Sequence, residues 1–282
     1  MIIGPQIVFY VSNAYYLKEF PHHAIIISAL FIASIYLFIK LVISNPGFMI
    51  VKDKTKSVET FFQETPSRML IFQSRYVCST KMARFQLMKF CRTCYILKPF
   101  RVSHCRICGV CVEKYDHHCP WLGNCIGKKN YRRFLLFLVT TLCLIIYDFS
   151  VSVAYLNQEI HGITVNQAIS NYGGTIFVSI YCGVLFFLVL SLVCFHGYLV
   201  CNNMTTHEYF TKTWYRPHYN PYSLGCFMNF WNIFVGVRNK KVKTKKVRHQ
   251  EIAPEVLSSA FEDKPKVDAN TVNITRIQQK NE

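Results

Sequence analysis

Acidic residues are scarce in this chain: 15 Asp and Glu stand against 32 Lys and Arg in 282 residues, a formal net charge of +17. Charge of either sign is missing from 175–200, and Lys and Arg are missing from 157–174. That unevenness argues against a surface of mixed charge along the whole chain, although the length alone would allow a soluble domain. No basic residue precedes the first apolar run, which argues against a cleaved signal peptide. Acids are absent again from "RNKKVKTKKVRHQ" (238–250). Such a run attracts anionic lipid at about 1 kcal/mol per cation, or is merely solvated. Residues 251–282 are polar and of mixed charge, and are expected to be disordered.

Apolar residues make up 51% of the chain and gather into four blocks. The stretches 22–44, 134–156 and 175–200 are each long enough to cross a bilayer core, which takes roughly 20 apolar residues in helix. The block 2–17 is short and contains Gly4 and Pro5; it is a marginal span, with a buried core helix as its alternative. The segment 45–133 carries 17 Lys and Arg and the segment 201–282 carries 13. With none in 157–174, the bias puts both basic segments on the cytoplasmic side and 157–174 on the other. With four spans the N-terminus is cytoplasmic too. The sequons at Asn203 and Asn273 then lie on the cytoplasmic side and are expected to be unused.

Apolar periodicity is missing from 91–125, "CRTCYILKPFRVSHCRICGVCVEKYDHHCPWLGNC", so this segment cannot bury a sizeable core of its own. It holds seven cysteines and three histidines instead. On a reducing side, that density points to metal or catalysis rather than to structural disulfides. A structural zinc takes four nitrogen or sulfur ligands in a tetrahedron. Two closed sites use eight of the ten candidates and would supply folding energy. Two residues are left over. His117 and His118 are adjacent and point in different directions, so they are not expected to bind one ion together. Asp116, a histidine and Cys119 form an acid–imidazole–thiol constellation suited to nucleophilic catalysis. Spacing does not say which histidine is the base.

At this point the sequence resembles the DHHC-type protein S-acyltransferases. The resemblance rests on Cys91-x2-Cys94, Lys98-Pro99-x-Arg101, His104-Cys105-x2-Cys108-x2-Cys111, Asp116-His117-His118-Cys119-Pro120-Trp121, Asn124-Cys125-Ile126-Gly127 and Asn130. Outside that segment, Asn45-Pro46-Gly47 looks like the family's DPG motif, with Asn in place of Asp. Thr205-Thr206-x-Glu208 matches its TTxE motif, and "NPYSLGCFMNF" (220–230) its C-terminal motif, with Asn229 at the asparagine. The likeness covers roughly 1–237. It implies an α-helical polytopic membrane protein with four transmembrane helices and a cytoplasmic zinc-binding cysteine-rich domain between helices 2 and 3. The expected division is 1–44 for helices 1 and 2, 45–133 for the cytoplasmic loop (core 91–130) and 134–200 for helices 3 and 4 with the short lumenal loop 157–174. A cytoplasmic region follows at 201–237 and a tail at 238–282.

The resemblance implies one zinc on Cys91, Cys94, His104 and Cys111, and another on Cys105, Cys108, His118 and Cys125. Asp116, His117 and Cys119 are then orienting acid, general base and nucleophile. The implied reaction moves a long-chain acyl group, typically palmitoyl, from acyl-CoA to Cys119 and on to a cysteine of a membrane-associated protein. Lys98, Arg101, Arg132 and Arg133 are candidates for the CoA phosphates, with positive-inside surface charge as the alternative for all four. Trp121 is expected near the thioester. Thr205, Thr206 and Glu208 are expected to brace the Asp116 region, and Asn229 to add a second brace. The implied location is an endomembrane (Golgi or endoplasmic reticulum) or the plasma membrane, with the active site facing the cytoplasm.

Competing functions are a nucleic-acid-binding finger, a ubiquitin-ligase-like or scaffold domain, and a catalytically inactive member of the same fold. The spans and the short gap between ligand pairs argue against a reading helix, so no nucleic acid is expected. A scaffold would leave Cys119 idle. Asp148 is an acid inside a span, where a functional role is the usual first hypothesis. It lies about 21 Å along the helix from Phe134, too deep to reach Cys119, and Tyr181 is its expected partner. His196 differs from it in depth and is not expected to pair with it. The far end of the acyl cavity is expected near Leu142 and Leu144.

Overall fold

The computed structural model describes residues 3–49, 70–77, 80–87, 89–213, 220 and 222–235. The basic run 238–250 and the expected disordered stretch 251–282 lie outside these residues.

The long apolar blocks fold as helices. α3 (Pro21–Val42) opens on Pro21, whose fixed φ and missing N–H suit a first helical turn, and it ends shortly before Asn45-Pro46-Gly47. α4 (Tyr131–Glu159) and α5 (Val165–Cys201) follow. These three are long and apolar enough to cross a membrane, and they mark a membrane protein. Many of their large apolar side chains, Phe177 and Phe187 among them, face outward, as a lipid surface demands. α4 lies against both α3 and α5. A capping box of Thr164 and Gln167 starts α5, satisfying N–H groups left free at a helix start.

The first block is not one helix. It divides into α1 (Ile3–Ser12) and α2 (Ala14–Glu19), on either side of the fully buried Asn13. Asn13 donates from its side chain to the Phe9 carbonyl. The break sits where α1 reaches α5: the Thr175 hydroxyl donates to the Ser12 carbonyl, and a Cβ on Gly174 would lie 2.0 Å from Ser12 Oγ. Asp148 does not pair with the expected Tyr181. Its partner is Gln6, whose Nε2 donates to Oδ1 at 3.5 Å, because α1 brings an amide to the depth where the acid lies.

Between α3 and α4 the described residues form strands and turns. β1 (Phe48–Met49), β7 (Val110–Val112) and β6 (Ser103–Cys105) make one antiparallel sheet in that order. The hairpins β2–β3 (Leu70–Val77, Thr80–Leu87), β4–β5 (Lys89–Cys91, Ile96–Lys98) and β8–β9 (His117–Cys119, Asn124–Ile126) complete the segment. Its small cores are built largely of cysteine: Cys91, Cys94 and Cys111 around Val102, and Cys105 and Cys125 around Val112. Asn45 carries the turn after α3, accepting from the Gly47 and Phe48 N–H groups through Oδ1. That oxygen is the part an aspartate would also use, so Asn in place of Asp keeps the turn.

Past α5, the short α6 (Thr206–Phe210) and α7 (Cys226–Phe234) return to its end. Cys201, at the end of α5, and Cys226, at the start of α7, lie side by side there. None of the cysteines of 91–125 is in a disulfide.

Candidate active site

Two ligand clusters emerge from hairpin geometry. Cys91-x2-Cys94 and Cys105-x2-Cys108 are tight turns, each followed by a residue with positive φ, Tyr95 at 55° and Gly109 at 65°. His104 stands opposite Cys111 across β6–β7, and His118 opposite Cys125 across β8–β9. His104 Nδ1 lies 3.6, 3.3 and 3.8 Å from the sulfurs of Cys91, Cys94 and Cys111. His118 Nδ1 lies 3.7, 3.4 and 3.6 Å from those of Cys105, Cys108 and Cys125. Zinc–sulfur and zinc–nitrogen bonds of about 2.3 and 2.05 Å in a tetrahedron give sulfur–nitrogen edges of about 3.6 Å. The measured edges fit that figure. Both clusters can hold a metal ion of this kind, and within each all ligand atoms lie within 4.8 Å of one another.

The strand between them separates the two histidines. Successive residues on a strand face opposite sides. On β8, His118 faces Cys125, while His117 and Cys119 share the other side. His117 Nδ1 lies 2.7 Å from Asp116 Oδ2, which leaves Nε2 for the thiol. Asp116 is 1% exposed. Its two oxygens also accept from the Thr206 N–H at 2.8 Å and the Thr206 hydroxyl at 2.7 Å. Burial opposes charge on this carboxyl, but the hydrogen bond from His117 and those from Thr206 hold it below the usual carboxylate range. Burial likewise opposes charge on His117, yet its bonds to Asp116 and the Cys119 thiol raise it to about 9. Cys119 is buried, which raises a thiol, but the His117 contact outweighs this and holds it below its ordinary value. The arrangement favours a thiolate–imidazolium pair.

Thr205, Thr206 and Glu208, three of the four expected supports, gather beside Asp116. Thr205 caps α6 and forms a capping box with Glu208, which sets Thr206 against Asp116. Asn229 donates to the Cys201 carbonyl at 2.7 Å and accepts from the Leu224 N–H, tying α7 to the end of α5. Arg101 differs from its expectation as a phosphate contact. Its Nε and Nη2 donate to both oxygens of Glu208 at 2.6 and 2.7 Å, and its Nη1 donates to Asn203 Oδ1 at 3.1 Å. With the guanidinium committed and only 10% of the side chain exposed, it serves as a brace. Lys98 is half-buried on β5, and Arg132 and Arg133 are exposed in the first turn of α4. Trp121 is 72% exposed, turned outward rather than packed on Cys119.

Other contributors had no role assigned in sequence, although Asn124 and Asn130 belong to the matched motif. Asn124 donates to the carbonyls of Leu41, Val42 and Ser44 at the end of α3, at 2.9, 3.1 and 2.8 Å. Asn130 donates to Ser44 Oγ and to the Cys125 carbonyl. Together they fix the β8–β9 hairpin to the end of an apolar helix. Lys114 donates to Asn203 beside Arg101. Burial and then the Arg101 charge lower its pKa to about 8. Cys119 belongs to one apolar cluster with Leu41, Leu122, Phe134, Leu138 and Val200, so the thiol sits among apolar side chains of α3, α4 and α5.

Comparison with known proteins agrees with this geometry. Residues 84–213 match the family model described as DHHC palmitoyltransferase. The chain is 32% identical to Probable protein S-acyltransferase 2 of Arabidopsis thaliana over 269 residues, covering 90% of this chain and 64% of that protein. It is 32% identical to Palmitoyltransferase ZDHHC9 of Homo sapiens over 237 residues, 80% and 64% of the two chains. Protein S-acyltransferase 8 of Arabidopsis thaliana is also 32% identical, over 196 residues, 68% and 47% of the two chains. The chain thus spans about half to two thirds of the length of these relatives. With an aspartate, a histidine and a thiol joined beside two tetrahedral ligand sets at the end of apolar helices, residues 84–213 of this chain form a DHHC palmitoyltransferase domain.

Proposed function

We propose that this chain is a protein S-acyltransferase that moves a long-chain acyl group, typically palmitoyl, from acyl-CoA to cysteine thiols of membrane-associated proteins. The observation that carries the reading is the shared face of His117 and Cys119 on β8, with Asp116 on the far nitrogen of the imidazole. The relatives' printed names, protein S-acyltransferase and palmitoyltransferase, support the same reaction.

In the first step the Cys119 thiolate attacks the thioester carbonyl. A bond forms between Cys119 sulfur and the acyl carbon, the bond to the CoA sulfur breaks, and the departing thiolate takes the proton held by His117. In the second step His117 accepts the proton of a substrate cysteine. That sulfur attacks the acyl-enzyme, and His117 returns the proton to Cys119. Asp116 keeps Nδ1 engaged so that Nε2 does the proton transfer. A sixteen-carbon chain hides about 11 kcal/mol of apolar surface at ~0.8 kcal/mol per methylene. The apolar side chains of α3, α4 and α5 around Cys119 suit that burden. Lys98, Arg132 and Arg133 are our candidates for the CoA phosphates.

We assign the metal in each ligand cluster as zinc with a structural role. A closed set of four protein ligands leaves no open position for chemistry. We read α1 and α2 as an interrupted first crossing, giving four spans with 45–133 and 201–237 on the cytoplasmic side of an endomembrane or the plasma membrane. The test is incubation of the purified protein with acyl-CoA of several chain lengths, reading hydroxylamine-labile acylation by mass spectrometry. The acyl group is expected on Cys119. A chain that binds acyl-CoA but never carries the acyl group there would be the inactive scaffold instead.

A further inference from the structure

The membrane helices contribute more to the site than a surface to rest on. His196 belongs to α5, is 3% exposed, and stands beside the catalytic strand. Its ring centroid lies 6.1 Å from that of His117 and 5.0 Å from that of Phe134. Phe134, on α4, lies 5.5 Å from His117 in an edge-on contact. The three rings close a triangle. Its outer corner is fixed by a hydrogen bond, 3.1 Å, between His196 Nδ1 and the hydroxyl of Tyr131, the first residue of α4. Tyr131 is buried as well, and a buried phenol without a partner is costly.

We infer that Tyr131 and His196 form a positioning pair that holds the His117 imidazole in line with Cys119, an inference that rests on the acyl-transfer reading above. Asp116 grips one nitrogen of His117 but leaves the ring free to tilt about that bond. Phe134 and His196 close the side toward the helices. The Tyr131 hydrogen bond stops His196 from turning away, and because α4 and α5 both contribute, the pair also sets the spacing of those helices under the site. A histidine suits this place better than an aliphatic residue. It fills the volume beside Phe134 and also gives the Tyr131 hydroxyl its partner. Neither residue touches the reacting sulfur, so the pair acts through His117.

The test uses the full chain in detergent and measures single-turnover acylation of Cys119 against acyl-CoA concentration. His196→Leu is expected to lower the maximal rate about 10- to 100-fold, the range that a misplaced catalytic group gives, with the half-saturating acyl-CoA concentration unchanged. Tyr131→Phe, which removes one oxygen and keeps the ring, should reproduce most of the loss. His196→Gln, which restores a partner for the Tyr131 hydroxyl, should recover most of it. The double variant His196→Leu/Tyr131→Phe should be no slower than His196→Leu alone. A wild-type maximal rate in Tyr131→Phe, or additive losses in the double variant, would overturn the pair. Failure of the acyl-transfer reading looks different: the wild-type chain itself would then carry no acyl group on Cys119.

Discussion

His117 and Cys119 share one face of β8, while His118 between them turns to the opposite face and meets Cys125 across the hairpin. One three-residue strand thus offers a ligand to a Cys–His cluster on one side and sets an imidazole beside a thiol on the other. The alternation of a strand resolves what linear spacing left open, namely which histidine has a cluster to complete and which has a thiol beside it.

Thr206 supplies two of the hydrogen bonds on Asp116. Thr206→Val keeps the backbone donor and the side-chain shape but removes the hydroxyl. We expect acylation of Cys119 to slow by about 10-fold, in line with the loss of one hydrogen bond to a charged group. Single-turnover labelling at saturating acyl-CoA measures it. A wild-type rate would mean the hydroxyl does not support the relay.

Gly127 lies where the turn after α3 crosses β7. A Cβ there would sit 2.7 Å from both the Pro46 carbonyl oxygen and Val112 Cγ1. Gly127→Ala should therefore destabilise the chain by about 1–3 kcal/mol, the usual range for overpacking. Gly183→Ala, whose new methyl would meet only a Phe149 carbon at 3.8 Å, should be close to neutral. Thermal unfolding of the two variants side by side tests this, and equal midpoints would contradict it.

Lys114 gives a pH dependence with a definite sign. Its pKa is lowered from 10.5 to about 8 by burial and by Arg101. Between those values the unfolded chain holds a proton that the folded chain has released. The Lys114 contribution to stability therefore rises with pH through that window, and below about pH 8 its buried charge works against folding. Lys114→Met should flatten the difference in unfolding midpoint between about pH 7.5 and pH 10. Parallel curves for wild type and variant would count against the buried charge.

Leu144 is buried on α4 in a cluster with Phe9, Ile27, Val178 and Cys182, farther along the helices than the residues around Cys119. Leu142 is only half-buried, so Leu144 is the better candidate for the end of the acyl path. Leu144→Ala should shift autoacylation toward longer acyl-CoA, and Leu144→Trp toward shorter. Unchanged chain-length profiles in both variants would remove Leu144 from that role.

Local pattern made some of this structure legible and not the rest. Long apolar runs announce α3, α4 and α5, because a bilayer asks for composition and length. Cysteine and histidine spacing announces the ligand-rich hairpins, because each Cys-x2-Cys is one tight turn. The first apolar block gave no sign that Asn13 would divide it, since that break answers to contact with α5. Arg101 read in sequence as a candidate for the CoA phosphates, and its partner Glu208 lies 107 residues away. His196 could be placed in sequence only by its depth, apart from Asp148. Its place beside His117 depends on how α4 and α5 pack under β8, which no periodicity encodes. Gln6 is hidden as the partner of Asp148 for the same reason.

The division of metal ligation and chemistry between neighbouring residues of Asp116–Cys119 follows from which side chains reach a cluster and which reach the thiol. It is tested most directly by zinc per protein, by elemental mass spectrometry on monodisperse variants, read beside acyl-label incorporation. Cys119→Ala should keep two zinc ions and form no acyl-enzyme. His117→Ala should keep both while slowing acylation by ~10²- to 10⁴-fold, as expected for a lost general base. His118→Ala and Cys125→Ala should lose zinc from one cluster, Cys91→Ala from the other, and each should destabilise the segment because metal binding and folding are coupled. Zinc loss in Cys119→Ala, or zinc lost in His117→Ala and kept in His118→Ala, would contradict the division.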